Sequence, residues 1–286
     1  MSSNASSARK SGSRDPSLEL TEGQSVELLK ELHILTRDGK LNQDSRRKLK
    51  QVQHLTGFIE PLLGECFAAG DDPVLVDHGA GKSYLGFILY DRFFKTRAGG
   101  RVVGVETRAE LVDKSRALAA RLGFTRMDFH ALSVEEAIVS PLLPAEVDIV
   151  TALHACDTAT DDAIRFALAR HSRHVVLVPC CQAEVAAALR ASKAASLART
   201  AFAELWRRPL HTREFGSQLT NVLRCLQLEA AGYQVTVTEL TGWEHSLKNE
   251  LIVARRTGQR RGDAGARLDW LLAEMGIEEL RSRFAV

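Results

Sequence analysis

Two groups of residues in this chain have types and spacings that could do chemistry. The first is Asp77-His78-Gly79-Ala80-Gly81, which closes the apolar run Val74-Leu75-Val76 and opens onto Lys82-Ser83-Tyr84-Leu85-Gly86. Glycines at 79 and 81 permit backbone angles, and a close approach to a ligand, that a Cβ would block. The helical pattern that follows, Tyr84, Leu85, Ile88 and Leu89, would turn unpaired N–H groups toward a negatively charged group. Asp77 ends a strand, where open α/β sheets bind their ligands. Glu106 ends a second apolar run, 25 residues after Gly81. An acid there can accept hydrogen bonds from both ribose hydroxyls of an adenosine, the alternative being a surface carboxylate. The second group is His154, Cys156, Asp157, Thr160 and Asp161, with Cys180-Cys181 after the next apolar run.

The glycine turn fits one template better than two others. A phosphate-binding P-loop would need a glycine five residues before Gly81, and Val76 stands there. A dinucleotide fingerprint would put its third glycine where Tyr84 is. What remains is acid-x-Gly-x-Gly with the small residue Ser83 two places on. In the second group, Asp157, Thr160 and Asp161 suit a helix N-cap, and capping is compatible with lining a pocket. The thiols admit three readings: a zinc set, buried packing groups, or contacts to an acceptor. Adjacent cysteines fit tetrahedral zinc poorly, so no metal is expected.

The elements that must position these residues alternate strand and helix, the pattern of a parallel sheet. Strands are predicted at Val74–Asp77, Arg101–Glu106, Met127–His130, Val147–Leu153 and His174–Val178. Two more, at Tyr233–Glu239 and Leu251–Ala254, have no crossover helix between them and should pair antiparallel through Gly242 to Asn249. Before the sheet, Leu28, Leu29, Leu32 and Leu35 mark a helix, and Asp44 or Ser45 can cap a second that runs to Pro61. A short separate helix is predicted from Leu62 to Ala69, and an Ala-rich helical insertion from Ala183 to Trp206. A helix over Gln218–Gly232 and a terminal one over Leu268–Met275 complete the pattern, with His211, Arg213 and Glu214 expected on a loop. The organisation is therefore a disordered tail (1–24), a helical extension (25–70), a sheet domain (71–256), and a basic linker with a terminal helix (257–286).

With 45% hydrophobic and 26% charged residues among 286, the composition is that of a soluble globular protein. A net charge of +2 does not by itself demand a nucleic-acid partner. No apolar run approaches the roughly 20 residues of a membrane span, and the first residues lack the apolar core of a secretory signal. Five cysteines, two of them adjacent, do not form a secreted disulfide framework. A reducing cytoplasm is the expectation. Basic residues cluster at Arg46, Arg47, Lys48 and Lys50, and at Arg255, Arg256, Arg260 and Arg261. They suit either a solvated surface or a nucleic-acid stripe.

The acid-x-Gly-x-Gly turn, Asp77 to Gly81, resembles motif I of class I S-adenosylmethionine (SAM)-dependent methyltransferases. Leu153-His154-Ala155-Cys156-Asp157-Thr158-Ala159-Thr160-Asp161 resembles the strand-four motif of the tRNA acceptor-stem 2'-O-methyltransferases and related methyltransferase-like proteins. Cys180-Cys181 is similar to their Cys-Cys pair after strand five, and Ser246-Leu247-Lys248-Asn249 to their Thr-Pro-Lys-Asn-like turn, with Leu247 in place of proline. The resemblance spans about Val74 to Ala254, and the zinc-finger module of the tRNA enzymes is not seen ahead of it.

It implies a Rossmann-like α/β fold, the seven-stranded class I methyltransferase sheet, with an N-terminal helical extension. It implies SAM as cofactor, held by Asp77, Gly79, Ala80, Gly81 and Glu106, with Ser133 and Val134 at the adenine edge. Cys156, Thr160, Cys180, Cys181, Lys248 and Asn249 would line the acceptor pocket, and Asp157, with His154 second, would orient or deprotonate the acceptor. RNA is the leading acceptor. A protein, a small molecule, or a SAM-binding regulatory module without catalysis are the alternatives.

Overall fold

A computed structural model describes residues 24–41, 43–70, 72–153, 157–179, 182–192, 201–240, 250–259 and 262–286. The chain divides into two compact units, residues 1–49 and 50–286. The first unit holds helix α1 (Val26–Glu31), whose N-cap Ser25 accepts a hydrogen bond from the Leu28 N–H at 3.2 Å. Helix α2 (Gln43–Ala69) begins in the first unit and belongs mostly to the second. It is one helix, not the two expected, and Pro61 lies inside it. A helix-interior proline costs about 3 kcal/mol or more. Leu55, Ile59 and Leu63 are almost fully buried around it, at about 1.5–3 kcal/mol each, so burial outweighs the break.

The second unit carries a seven-stranded sheet of order β3-β2-β1-β4-β5-β7-β6. The strands are β1 (Val74–His78), β2 (Arg101–Glu106), β3 (Met127–Ala131), β4 (Ile149–Leu153), β5 (His174–Val178), β6 (Tyr233–Glu239) and β7 (Glu250–Arg256). The first five are parallel, and β7 runs antiparallel between β5 and β6. The expected antiparallel end pair is therefore present, inserted beside β5.

Helices between the strands are α3 (Tyr84–Leu89), which continues into a π turn over Tyr90–Phe94, α4 (Ala109–Leu122), α5 (Val134–Val139) and α6 (Thr158–Ala169). After β5 come α7 (Glu184–Ala191) and α8 (Pro209–Ala230), and the chain closes with α9 (Ala264–Met275). Among the described residues no helix is long and apolar enough to cross a membrane.

Side chains alternate across each strand, so Val74, Val76, Val103, Val105, Val150, Ala152, Val175 and Leu177 share one face. They pack with Val134 and Ala137 of α5 and with Ile164 and Phe166 of α6. A second core joins α7, α8 and α9 through Val185, Leu189, Leu219, Leu223, Leu268 and Leu272.

Helix α8 begins nine residues earlier than predicted, and His211, Arg213 and Glu214 lie in its first turns, not on a loop. The available signal was Pro209 at the first helical position, where the missing N–H has no intrahelical partner to lose.

The stretch that leads from α5 into β4 is held by one buried guanidinium. Arg170 donates to the carbonyls of Ala137 (2.8 Å), Ser140 (2.8 Å), Leu143 (3.3 Å) and Pro144 (2.9 Å). Arg170→Met should therefore lower stability by about 2–4 kcal/mol, read as a fall in the urea midpoint at constant m-value. A loss below about 1 kcal/mol would mean that water serves those carbonyls equally well.

Candidate active site

Asp77 is the penultimate residue of β1, with its side chain on the face away from the Val74–Val76 core, and it is 2% exposed. Its Oδ1 accepts from the Thr151 hydroxyl on β4 at 3.0 Å, and its Oδ2 from the Ser83 hydroxyl at 3.3 Å. The Gly86 N–H also donates to this carboxylate. Asp77 thus ties two strands, the glycine turn and the start of α3 together. Ser83 is left-handed (φ 51°), a conformation that costs a non-glycine residue free energy and is sustained only by its surroundings. A Cβ on Gly86 would come within 2.5 Å of the Ser83 Oγ, so the helix has a glycine where it passes that hydroxyl. Both carboxylate oxygens of Asp77 are engaged in shaping the turn.

The turn itself carries Gly79 at φ 66° and Gly81 at φ 58°. The Ala80 N–H donates to the Val105 carbonyl (3.0 Å), which closes the turn over β2. Gly81 N–H donates to Glu106 Oε2 at 2.8 Å. The Glu106 carboxylate is 7% exposed as a residue and collects further donors at its other oxygen. Oε1 accepts from Thr107 Oγ1 (3.2 Å), from the Arg108 N–H (3.1 Å) and from Arg108 Nε (3.0 Å), while Arg108 Nη2 reaches Oε2 at 3.2 Å. Burial alone would raise the carboxyl's pKa; the bonds from Arg108 and Gly81 outweigh it and hold the group down to about 2.

His78, between Asp77 and Gly79, is 6% exposed, and neither ring nitrogen has a hydrogen-bond partner among the described residues. Its ring lies 5.4 Å from that of Phe166. Ser133 has both hydrogen-bonding groups committed to a capping box with Glu136 at the start of α5, and Val134 is buried in the core. These two therefore shape the loop after β3 through the cap and the core.

Asp157 and Thr160 open α6, Thr160 fully buried. Asp157 does not cap its own helix. It has φ 50° and ψ −121°, a disfavoured conformation for a residue with a Cβ. Its Oδ1 accepts from the Ala183 (3.0 Å) and Glu184 (3.4 Å) N–H groups, so it caps α7 across the gap between the ends of β4 and β5. Its carbonyl accepts from Arg224 Nη2 at 2.9 Å. Arg224, fully buried on α8, forms a bidentate pair with Asp161 (2.7 and 2.8 Å) and donates to Asn221 Oδ1 at 3.1 Å. Gln182 also donates to Asn221 Oδ1 (3.0 Å), Asn221 donates to Glu250 Oε2 (2.6 Å), and Ser217 donates to Gln182 (2.6 Å).

Arg224, Asn221, Gln182 and Glu250 were not found from sequence, nor was Arg108. The signal for the α8 group was a polar stripe, Ser217, Thr220, Asn221, Arg224 and Gln227, at helical spacing beside the leucines. His154, Cys156, Cys180, Cys181, Lys248 and Asn249 lie outside the described residues.

A parallel sheet of this strand order with an antiparallel β7, and a glycine turn facing an acid at the end of β2, define a class I SAM-dependent methyltransferase domain. Residues 47–188 match a family model described as a methyltransferase domain. The turn fits the cofactor: its glycines leave open space beside Gly81 except for the tip of Arg108, 3.9 Å from where a Cβ would be, and Glu106 offers the carboxylate.

Among solved structures, the chain is similar to magnesium protoporphyrin IX methyltransferase from Synechocystis PCC 6803 with bound SAH. The identity is 14% and the TM-score 0.48, over 85% of this chain and 100% of that one. It is similar also to an rRNA methylase from Streptococcus thermophilus, at 9% identity and TM-score 0.40, over 65% and 87% of the two chains. A putative methyltransferase from Streptococcus mutans in complex with SAH gives 9% and 0.40, over 65% and 89%. No curated protein matches the chain.

Two neighbouring groups titrate in opposite senses. Burial, opposed by bonds from Thr151, Ser83 and Gly86, raises the Asp77 pKa to about 6, and burial lowers that of His78 to about 4. A raised acid binds more protons folded than unfolded, so its contribution to stability falls as pH rises from 3.8 to about 6. A buried neutral histidine does the reverse, and its contribution rises from pH 4 to 6.5. Relative to wild type, Asp77→Asn should therefore gain stability with pH across that window and His78→Gln should lose it, each on the order of 3 kcal/mol. Parallel pH profiles of the urea midpoint in all three proteins would refute both assignments.

Proposed function

We propose that this methyltransferase transfers the methyl group of SAM to an RNA acceptor presented beyond the carboxyl ends of β4 and β5. The observation that carries the placement is the network around Asn221. It joins Asp157 after β4, Gln182 after β5 and Glu250 at the start of β7. Asp157 lies within, and Gln182 and Glu250 directly follow, the three segments in which the chain resembles the tRNA acceptor-stem 2'-O-methyltransferases. When bound, SAM supplies an electrophilic methyl group on a sulfonium. The protein aligns the acceptor with it, excludes water and, for a hydroxyl, offers a base. Asp77, Gly79, Ala80 and Gly81 shape the cofactor turn, Glu106 takes the ribose, and Ser133 and Val134 border the adenine. Asp157, with His154 second, orients or deprotonates the acceptor, and Cys156, Thr160, Cys180, Cys181, Lys248 and Asn249 line its pocket. The thiols are reduced and hold no metal. The setting is cytoplasmic.

One observation favours a second reading, a small-molecule or protein acceptor. β7 is antiparallel, so Arg255 pairs with His174 at the amino end of β5, roughly 13 Å of strand from the carboxyl end. Arg255 is also bound to Glu65 at 3.0 Å. That part of the basic surface faces away from the proposed site, and of the earlier cluster Lys50 is exposed and Arg46 half-buried. The side chains of Arg47 and Lys48 and the whole of Arg260 and Arg261 lie outside the described residues.

Labelled SAM incubated with the protein and with total RNA, protein and metabolite fractions should label RNA. Label in another fraction moves the acceptor to that class, and none in any fraction supports a SAM-binding module without catalysis. Glu106→Ala should weaken SAM binding through the loss of two hydroxyl bonds to a charged group, about 1.5–3 kcal/mol each. Unchanged affinity by calorimetry would remove Glu106 from the ribose site.

Asp157→Asn keeps an oxygen for the α7 cap but removes the base, so turnover should fall about 10²- to 10⁴-fold with SAM affinity kept. If Asp157→Asn works normally and only Asp157→Ala fails, Asp157 serves as a cap alone.

A further inference from the structure

We propose that the Arg108 guanidinium competes with the ribose hydroxyls of the cofactor for the Glu106 carboxylate and so sets cofactor affinity. This rests on the reading of Glu106 as the ribose partner. A carboxylate has about four lone-pair sites. Glu106 accepts five contacts: from the Gly81 and Arg108 N–H groups, from Thr107 Oγ1, and from Arg108 Nε and Nη2. Two ribose hydroxyls cannot be added to a filled acceptor. The backbone donors are fixed by the turn and by the start of α4. The contacts that can leave are the three from side chains, the two N–H groups of Arg108 and the Thr107 hydroxyl, and the arriving donors are two, the 2'- and 3'-hydroxyls, which with the two backbone donors fill the four sites.

The position of the guanidinium fits displacement. Its Nη2 lies 3.9 Å from where a Cβ on Gly81 would be, so it crosses the open side of the glycine turn through which a ligand must approach. Its side chain is 62% exposed, against 8% for Glu106, and can swing into solvent with the carboxylate left in place. At the N-cap of α4 Arg108 makes no side-chain capping bond, so the helix does not depend on that rotamer. The fork on the carboxylate is bidentate, the geometry in which arginine pairs most strongly. Because the arginine is 62% exposed, water screens the pair from its side and weakens it enough for two hydroxyls to replace it.

The experiment is calorimetric titration with S-adenosylhomocysteine, which carries the same ribose without the sulfonium charge, at low and high salt. Arg108→Ala should bind it about two- to fivefold more tightly than wild type, the span of an ion pair screened by water on its arginine side. Wild-type affinity should rise with salt, because salt screens the competing pair, and the Arg108→Ala affinity should not. Arg108→Gln, which keeps bulk without charge, should follow the alanine variant. Weaker binding by Arg108→Ala would overturn the proposal, since the guanidinium would then be a ligand contact. Unchanged affinity with the wild-type salt dependence would overturn it too. If Glu106→Ala binds like wild type, the ribose assignment fails and the competition with it. If Glu106→Ala loses binding and Arg108→Ala does not gain it, only the competition fails.

Discussion

Asp77 accepts a hydroxyl from Thr151 on β4, a hydroxyl from Ser83 beyond the glycine turn, and the Gly86 N–H in α3. A buried carboxylate is costly to leave unpaired, so these three donors must hold their places together. Ser83 adopts a left-handed conformation to supply its hydroxyl, and Gly86 has no Cβ because one would strike that hydroxyl. The turn that follows delivers the Gly81 N–H to Glu106. One desolvated charge thus fixes the relation of β1, β4, α3 and, through Gly81, β2. The backbone of the turn is thus held by protein contacts of its own, which lowers the ordering cost of binding there.

A second buried charge organises the other half of the edge. The Arg224–Asp161 pair has almost no solvent contact, and such a pair holds only with its remaining hydrogen bonds satisfied. The leftover donors of Arg224 go to the Asp157 carbonyl and to Asn221, and Asn221 extends the network to Gln182 and Glu250. Asp157 itself joins the start of α7 to the end of β4. The disfavoured backbone of Asp157 is thereby held by groups from α7 and α8, so its carboxylate is placed by tertiary contacts rather than by its own helix. A carboxylate held this way sits in one position.

The two ends of the sheet have different characters. The carboxyl ends carry the glycine turn, Glu106 and the Asn221 network. The amino end of β5 carries Arg255 with Glu65 and the buried His174. Charge clustering along the sequence does not distinguish the two, because an antiparallel strand reverses the direction in which its last residues are delivered.

The sequence by itself determined the alternation of strand and helix, the antiparallel end pair, the glycine turn, and the acid at the end of β2. Each of these is a local signal: apolar period, glycine spacing, the absence of a crossover helix. It did not determine that α2 would run through Pro61, because a proline's penalty is local while the burial that overrides it is set by the surrounding chain. It named Asp157 but not what Asp157 touches. The partners of Asp157 are 26, 27 and 67 residues away on α7 and α8. It passed over Arg108, which reads as one more exposed cation until the fold lays it across Glu106. Residue type and spacing fixed the kind of chemistry. Which donors fill which carboxylate was decided only by tertiary structure, because hydrogen-bond capacity is counted in space and not along the chain.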